Sequence, residues 1–413
     1  MNKILTIAFR NLRRYKRRTF LTSSLIMLGV LSVLLFTSVT GSFKSMMIGE
    51  ITDAMLGHIQ VHQKGFMASI DTLPLNRNLN EKQVDKLVGI LEGDRSVTAF
   101  STRLRFGAMF SNYAETSNIR LNGIDPDKET QTVPLLANRI SGRESGFLDK
   151  GEILVPELLA KGMKVTIGDS VVIVATNKDG SVNGQNFVVG GFVGTLSGPG
   201  GRDGYIHIED ARSLLRMEEN EVSEVAIRLN NMELLDTTAD TLAQQLESIR
   251  NKQDKPVFEI HTWQKLTPFS NIAKMIDLMT FFIKMMLIAI VLVSIMNVMV
   301  MAVYERINEI GTIAAIGTGP GKILTLFLSE GLLLGIIGTV FGIIVYLLII
   351  TFLNLSPISY DFGNQKGLIL SPGVSVMEIV SISLIVVAIS VLGSLQPAWK
   401  AAKMDPITAL RHV

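Results

Sequence analysis

Residues 19–43 read TFLTSSLIMLGVLSVLLFTSVTGSF, a stretch of 25 consecutive residues without a charged side chain. A helix needs about 20 apolar residues to cross roughly 30 Å of hydrocarbon, so this stretch is long enough to span a bilayer. It is longer than the apolar core of a signal peptide, roughly 7–15 residues, and no small-residue cleavage site follows it. The stretch therefore predicts a retained transmembrane helix.

Three further apolar runs of comparable or greater length lie in the C-terminal third of the chain, at residues 285–304, 323–360 and 379–399. Glu330 is the only charged residue within them. Of the 413 residues, 47% are hydrophobic and 18% are charged, whereas an average soluble domain is about 25% charged. Four such runs predict a membrane protein with four transmembrane α-helices.

The basic residues indicate the orientation of the chain. Residues 1–18 contain seven lysines or arginines and no acid, and the tail after residue 397 also carries more basic than acidic residues. Because basic residues close to a span stay on the cytoplasmic side, both termini are expected in the cytoplasm. The long segment 44–270 is then expected on the extracytoplasmic side.

This long segment has the composition of a soluble domain. The alternation of polar and apolar residues predicts strands and the three-to-four-residue spacing predicts helices. The clearest elements are a strand within 57–66, a helix over 81–93, a strand over 224–229, a helix over about 233–249 and a strand within 257–263. A strand-rich sequence lies between the two ends, so we expect a large α+β domain inserted between helices 1 and 2.

Together these features predict nine consecutive segments, each with its own environment. They are a basic N-terminus (1–18), span 1 (19–43), the α+β domain (44–270), a stalk with span 2 (271–303), a cytoplasmic helix and turn (304–320), span 3 (321–354), a short extracytoplasmic loop (355–373), span 4 (374–397) and a cytoplasmic tail (398–413).

The sequence GTGPGKIL at residues 317–324 has the glycines and lysine of a phosphate-binding loop. A P-loop needs a glycine five residues before Gly321, with four residues between the two glycines, and a hydroxyl residue after Lys322, but both positions, 316 and 323, are isoleucine. The segment also lies between two spans with no strand before it. We therefore interpret it as a turn and expect no nucleotide or other cofactor in this chain.

Other motifs for catalysis or metal binding are also incomplete. The chain has no cysteine, and no serine-hydrolase elbow or HExxH zinc motif occurs in it. His58 and His62 are four residues apart in a strand pattern, which separates them by about 13 Å and is too far for a shared metal. Lysine and arginine (39) nearly balance aspartate and glutamate (37), so no basic excess indicates nucleic-acid binding. No catalytic residue and no metal site are predicted.

Two features inside the membrane segments indicate contacts. The glycine pairs Gly331/Gly335 and Gly338/Gly342 are four residues apart in span 3, a spacing that lets helices approach closely within the chain or against a second copy. Methionine is dense around span 2, and flexible thioethers suit a surface that accepts varied apolar shapes. A lipid-binding groove is therefore predicted from Phe43, Met46, Met47, Met275 and Met279, with lipid-facing filler as the alternative.

Three motifs resemble the FtsX-like permease family of ABC transporters, which includes MacB and the lipoprotein-releasing permeases LolC and LolE. They are YERINEIGTIAAIG at 304–317, FLSEGLLLGIIGTVFG at 327–342 and QPAWKAAKMDPITALR at 396–411. The layout of one span, a large outer domain and three spans is also similar to this family. Without a fused ATPase, the chain looks most like the LolC and LolE branch. This resemblance implies a chain in the bacterial inner membrane, with segment 44–270 and the loop at 355–373 in the periplasm.

The resemblance implies a coupling helix at 304–317 that docks on a separate ATPase subunit. By this resemblance Glu305, Arg306, Glu309 and Ile310 contact the ATPase, and Gly311 allows close approach. It further implies a dimer of ATPase subunits that binds ATP and magnesium, a second permease copy in a homo- or heterodimer, and lipoprotein extraction with a periplasmic chaperone. The alternatives are MacB-like export of peptides or small molecules with a tunnel protein, or a signalling scaffold that activates a cell-wall hydrolase.

Overall fold

The computed structural model of the chain describes residues 2–143, 146–194, 203–251, 253–356, 358–362, 365–370 and 372–411. The glycine-rich sequence SGPGGRDG at residues 197–204 predicts a flexible loop. Residues 197–202 lie outside the described residues, and residues 203 and 204 begin a strand.

The helices differ greatly in length, and four of them have 27 residues or more. In chain order the α-helices are α1 (Asn2–Arg14), α2 (Lys16–Ile51), α3 (Glu81–Gly93), α4 (Pro126–Thr132), α5 (Glu157–Met163), α6 (Ile208–Leu214), α7 (Leu235–Glu247), α8 (Trp263–Leu266), α9 (Phe269–Glu305), α10 (Ile307–Ala315), α11 (Pro320–Leu355), α12 (Val376–Ala402) and α13 (Pro406–Arg411).

Most strands lie between α2 and α9, as the alternating sequence pattern predicts. They are β1 (Ile59–Gln63), β2 (Val97–Ser111), β3 (Thr116–Ile124), β4 (Ile140–Ser141), β5 (Glu152–Pro156), β6 (Ser170–Thr176), β7 (Val182–Val193), β8 (Asp203–His207), β9 (Glu224–Leu229), β10 (Phe258–Thr262), β11 (Ile358–Phe362) and β12 (Gln365–Leu370). β11 and β12 pair with each other between α11 and α12.

The chain divides into two compact units. The membrane unit comprises Met1–Ser45, Lys274–Ser359 and Ile369–Val413, and the α+β unit comprises Met46–Ala273 and Tyr360–Leu368. The helices α2, α9, α11 and α12 are long and apolar enough to cross a membrane. The predicted architecture of four transmembrane helices and an inserted α+β domain is confirmed.

The membrane unit is packed around α11, and small residues set the distances between its helices. A Cβ added at Gly331 or Gly335 would come within 2.5–2.7 Å of the side chains of Ser394 and Ser390 on α12. A Cβ at Gly338 or Gly342 would lie 2.6 and 2.8 Å from the Cβ atoms of Ile26 and Val30 on α2. The first pair therefore faces α12 and the second faces α2, both within this chain.

This packing predicts that Gly338→Leu destabilises the membrane unit. Leucine would force α2 and α11 apart, and such overpacking lowers the free energy of unfolding by about 1–3 kcal/mol. The measurement is the thermal unfolding midpoint of the detergent-solubilised chain. Gly321→Leu is the matched control, because no described atom outside its own turn lies within 4 Å of a Cβ added there. An unchanged midpoint for Gly338→Leu would contradict the contact.

The α+β unit begins and ends with a strand, a helix and a strand: β1, α3 and β2 at one end, and β9, α7 and β10 at the other. The paired order β10–β1–β9–β2 joins both ends in one sheet. Buried side chains of α3 and α7, including Leu87, Leu91, Leu242 and Leu246, belong to one hydrophobic core with this sheet. β1 and β10 are antiparallel neighbours, with Ile59 opposite Thr262.

The insertion between these ends forms a closed ring of strands. The pairs β2–β3, β3–β8, β8–β5, β5–β7, β7–β6 and β6–β2 return to the starting strand. Alternate residues of the long strand β2, from Leu104 through Phe106 and Ala108 to Phe110, are buried in the core of this ring. The ring is the strand-rich insertion that the sequence predicts, and closure pairs both edges of the six strands.

A network of buried charges crosses the sheet where β2, β9 and β1 meet. Glu224 is fully buried, and its two carboxylate oxygens accept from Arg103 Nη1 at 3.0 Å and Arg105 Nη1 at 3.1 Å. Arg103 also pairs with Glu129 of α4 at 2.7 Å, and His62 Nε2 lies 3.4 Å from Glu224 Oε2. Buried ions at this depth require such pairing, since an unpaired charge would be costly to desolvate.

Candidate functional site

The predicted coupling segment forms the short helix α10 between two membrane-spanning helices. The chain bends at Arg306, whose backbone is non-helical (φ −113°, ψ 21°), and α10 starts at the next residue. After α10 the chain turns at Gly317, whose φ of 95° favours glycine, and Pro320 occupies the first turn of α11. The interpretation of GTGPGKIL as a turn is thereby confirmed.

Arg306, the first motif residue after α9, points into the membrane unit. It is 4% exposed, and its Nη1 donates a 2.8 Å hydrogen bond to Glu330 Oε1 on α11. Its Nε donates to Glu309 Oε2 at 3.0 Å. The guanidinium also lies over the rings of Tyr15 and Phe327, 5.5 and 5.6 Å from the ring centres, which adds cation–π attraction. Arg306 therefore fixes α10 to the helix bundle.

Glu309 is held from the N-terminal side of the chain as well. The Tyr15 hydroxyl donates to Glu309 Oε1 at 2.9 Å, and Arg14 Nη1 lies 3.4 Å from the same oxygen. Burial alone would raise the pKa of Glu309, but the hydrogen bonds from Arg306 and Tyr15 and the nearby arginine charges outweigh it and lower the pKa. Glu309 is thus a carboxylate at neutral pH and a fixed contact between α10 and the segment after α1.

The remaining motif residues divide between the interior and the surface. Ile310 is 4% exposed and packs in the membrane unit with Ile323, and Gly311 beside it is also buried. Glu305 is exposed and lies 4.0 Å from Arg18. Of the five predicted coupling residues, therefore, Arg306, Ile310 and Gly311 face inward, Glu309 is half-buried and Glu305 faces outward.

A different set of residues forms the outer face of this segment. Asn308, Thr312 and Ile316 are exposed and recur every four residues, so they lie along one side of α10 and its C-terminal end. Ile316 is 80% exposed, an unusual position for a large aliphatic side chain at the end of a helix. We call these three residues the outer face of α10. It presents apolar and uncharged polar groups on a rigid element.

Comparison with known proteins identifies the family. Residues 280–406 match the model described as FtsX-like permease C-terminal, and residues 19–245 match the MacB-like periplasmic core domain. The second match alone covers more than half of the chain. The chain belongs to the FtsX-like, MacB-type family of ABC transporter permeases. The α+β unit of this permease is the extracytoplasmic domain of the family.

The permease is similar to curated proteins of two types. It is 27% identical to the lipoprotein-releasing system transmembrane protein LolC of Xylella fastidiosa over 312 residues, covering 71% of this chain and 72% of that protein. It is 22% identical to LolC of Neisseria meningitidis over 430 residues, covering 98% of both. The macrolide export ATP-binding/permease protein MacB of Agrobacterium fabrum is 36% identical over 118 residues, 29% of this chain and 17% of that protein.

Sequence reasoning missed the outer face of α10 because it followed the charged residues of the family motif. A usable signal was present in the spacing of Ile307, Ile310, Gly311 and Ala314, which places small and apolar residues on one side of a helix. That side packs into the permease, so the opposite side, with Asn308 and Thr312, is the one left exposed. The spacing of the apolar residues therefore indicates the orientation of α10, whereas the positions of its charged residues do not.

The predicted lipid-groove residues have different environments. Met275 and Met279 lie on α9 and are 53% and 54% exposed, whereas Phe43 on α2 is half-buried. Met46 is also half-buried, and Met47 packs against the hydrophobic core of the α+β unit. The exposed methionines belong to an apolar side of α9 that continues through Phe282 and Met286.

The two histidines of the GHIQVH stretch have structural partners. His58 Nδ1 accepts from the backbone amide of Leu229 at 3.1 Å, and His58 Nε2 lies 3.4 Å from Asp53. His62 stacks on Phe66 and belongs to the Glu224 network. Within the described residues, no group of three or more histidine and acidic side chains is arranged to hold a metal ion.

Proposed function

We propose that this permease couples ATP hydrolysis by a separate ATPase subunit to movement of its extracytoplasmic domain, and so extracts lipoproteins from the inner membrane. The observation that carries the cargo assignment is the match to the lipoprotein-releasing protein LolC over 98% of both chains. Along this chain, one span is followed by an inserted α+β domain and then by three further spans. The charge pattern supports an orientation with both termini in the cytoplasm.

The ATPase docks on the outer face of α10 in this proposal. Exposed apolar residues that sit among polar ones are typical anchors of protein interfaces, and Ile316 has this character. Arg306 and Glu309 hold α10 to the bundle, so a push on the outer face moves the spans with it. Two permease copies, identical or paralogous, pair with two ATPase subunits, which bind ATP and magnesium.

The exposed side of α9 is proposed to contact the lipoprotein acyl chains. Met275 and Met279 offer flexible apolar surface, which suits acyl chains of varied length. A photoreactive amino acid at either position is expected to crosslink to lipoprotein, and Leu384, 67% exposed on α12, is the matched control. Equal crosslinking at all three positions would indicate ordinary lipid contact instead of a cargo site.

The function is tested in proteoliposomes that contain the permease, its ATPase and a triacylated lipoprotein. ATP is expected to release lipoprotein to a soluble periplasmic chaperone, and an ATPase without hydrolytic activity is expected to release none. Mass spectrometry of the detergent-purified complex should identify lipoprotein among the bound molecules. Absence of both release and bound lipoprotein would contradict the cargo assignment.

MacB-like export is the second candidate, because the family model for residues 19–245 and the match to MacB of Agrobacterium fabrum favour it. This candidate predicts that the purified complex binds an outer-membrane tunnel partner. It also predicts that cells lacking the permease become sensitive to a peptide or small molecule while their lipoproteins stay correctly sorted. These two outcomes separate export from extraction.

A further inference from the structure

Glu330 is an acid inside a membrane-spanning helix, ten residues or nearly three turns after the start of α11. Its side chain is fully buried. A buried carboxylate in a span is costly and requires partners, so the groups around it indicate why it is there. All of its close polar partners among the described residues come from elements other than α11.

Three such partners converge on this one carboxylate. Arg306, at the start of α10, donates to Glu330 Oε1 at 2.8 Å, and Asn11 Nδ2 of α1 donates to the same oxygen at 2.7 Å. Arg18, in the first turn of α2, places Nη2 3.7 Å from the other oxygen, Oε2. Glu330 therefore joins the N-terminal helix, the start of the first span and the coupling helix at one point of the third span.

The Arg18 contact differs from the other two because it is incomplete. At 3.7 Å it is an ion pair without a hydrogen bond. Neither Glu330 Oε2 nor the Arg18 Nη atoms have a hydrogen-bond partner among the described residues, although these atoms are buried. Arg18 also lies 4.0 Å from Glu305 and over the Tyr15 ring. A closer approach of Arg18 to Glu330 would satisfy both groups, so the α2 contact can tighten while the other two persist.

We propose that Glu330 is a positioning residue that makes α1, α10 and the start of α2 move as one body with α11. Force that reaches α10 thereby moves the first span, α2, as well as α9 and α11, the two spans that flank α10. The proposal rests on the proposed function, in which α10 receives the force. α10 is joined covalently to α9 and α11 but not to α2, so a non-covalent link is needed for α2 to follow. The Glu330 cluster is such a link.

This arrangement requires the negative charge of Glu330. A neutral hydrogen-bond acceptor of the same size would not hold the two arginines in place. Arg306 and Arg18 approach the carboxylate from two different elements. Arg306 is buried and Arg18 is half-buried. Glutamine would accept from one donor but would leave two guanidinium groups near each other without their shared counter-charge. Removing one partner of a buried ion pair is strongly destabilising to the contact, because the other charge stays desolvated.

The activity test uses the full permease with its ATPase. Glu330→Gln is expected to lower the maximal permease-stimulated ATPase rate about tenfold, within the usual range for coupling between two sites, while the ATP KM and the affinity for the ATPase stay unchanged. Arg306→Gln should cause a similar loss, and the double variant should lose less than the product of the two single losses, because the two side chains share one contact. Ser329→Ala is the control, since the Ser329 hydroxyl donates to the Thr325 carbonyl of its own helix.

A distance measurement separates this inference from the proposed function, because it needs no ATPase. The chain has no cysteine, so spin labels can be attached at Arg17→Cys on α2 and Ala315→Cys on α10, both exposed. We expect a narrow distance distribution in the parent and in Ser329→Ala, and a broadened one in Glu330→Gln and in the milder Arg18→Gln. A narrow distribution in the Glu330 and Arg18 variants would overturn the proposal, even if ATPase stimulation by the parent is confirmed.

Discussion

Replacing Ile316 by aspartate is expected to reduce the permease-stimulated ATPase rate to the rate of the ATPase alone. Ile316 is the large aliphatic residue of the outer face of α10, and it lies directly before the turn at Gly317. Loss of a central apolar anchor costs an interface about 2 kcal/mol or more, roughly a 30-fold loss of affinity. The chain should still insert, because the side chain makes no contribution to the buried core of the permease.

The control is Ile407→Asp on α13, which makes the same chemical change at an isoleucine that is 69% exposed but outside the proposed docking face. ATPase binding is measured by titration of the labelled ATPase onto the detergent-solubilised permease. If Ile316→Asp binds and stimulates normally, the outer face of α10 is not the docking surface. The exposed Glu305 would then be the first residue to test in its place.

A second large effect is expected in the extracytoplasmic domain, from Glu224→Gln. The change leaves Arg103 and Arg105 buried beside a neutral amide, and breaking such a pair costs about 3–5 kcal/mol of folding free energy. Trp263 is buried in this domain, and the second of the two tryptophans, Trp399, lies on α12. In a Trp399→Phe background, urea unfolding followed by tryptophan fluorescence therefore reports the domain alone.

The matched control is Glu247→Gln, which changes an exposed glutamate at the end of α7 and should alter the unfolding free energy by less than about 0.5 kcal/mol. Equal midpoints for the two variants would show that the buried network contributes nothing to stability. Both variants change glutamate to glutamine in the same domain and the same Trp399→Phe background. The difference between their unfolding free energies therefore reports the burial and ion pairing of Glu224.

The same network predicts a dependence on pH. Burial would raise the pKa of Glu224, but the charges of Arg105 and Arg103 and the hydrogen bond with His62 outweigh it and hold the pKa well below its usual range. A lowered folded-state pKa stabilises the domain fully above the ordinary glutamate value of about 4.3, and this stabilisation is lost as the pH falls further. The parent should therefore lose stability below about pH 4 more steeply than Glu224→Gln, which lacks this carboxylate.

Much of the fold could be predicted because it depends on local patterns. Long apolar runs define the four spans, and alternation defines strands such as β9 and β10 within a residue or two of their ends. The closed ring could not be predicted in the same way. It requires β3 to pair with β8 and β5 to pair with β7 in parallel, and such register between distant segments is set by the packed core and not by either strand alone.

The helix α10 was predicted in position, but the orientation of its side chains was not. The family motif located α10 correctly, yet its arginine and one of its two glutamates turn toward partners that are far away in sequence. Arg306 pairs with Glu330, 24 residues later, and Glu309 accepts from Tyr15, 294 residues earlier. A charged residue is ordinarily expected at the surface, and only knowledge of these distant partners reverses that expectation.

The neighbouring positions of β1 and β10 have a mechanical consequence. The first strand of the α+β unit, β1, begins at Ile59, and β10 ends at Thr262, and these two residues face each other at the same end of an antiparallel pair. A force that pulls Ile59 away from Thr262 would break the hydrogen bonds between β1 and β10 one after another. Motions that move Ile59 and Thr262 together place no load on these hydrogen bonds. The domain should therefore resist such motions far better than a force that separates the two residues.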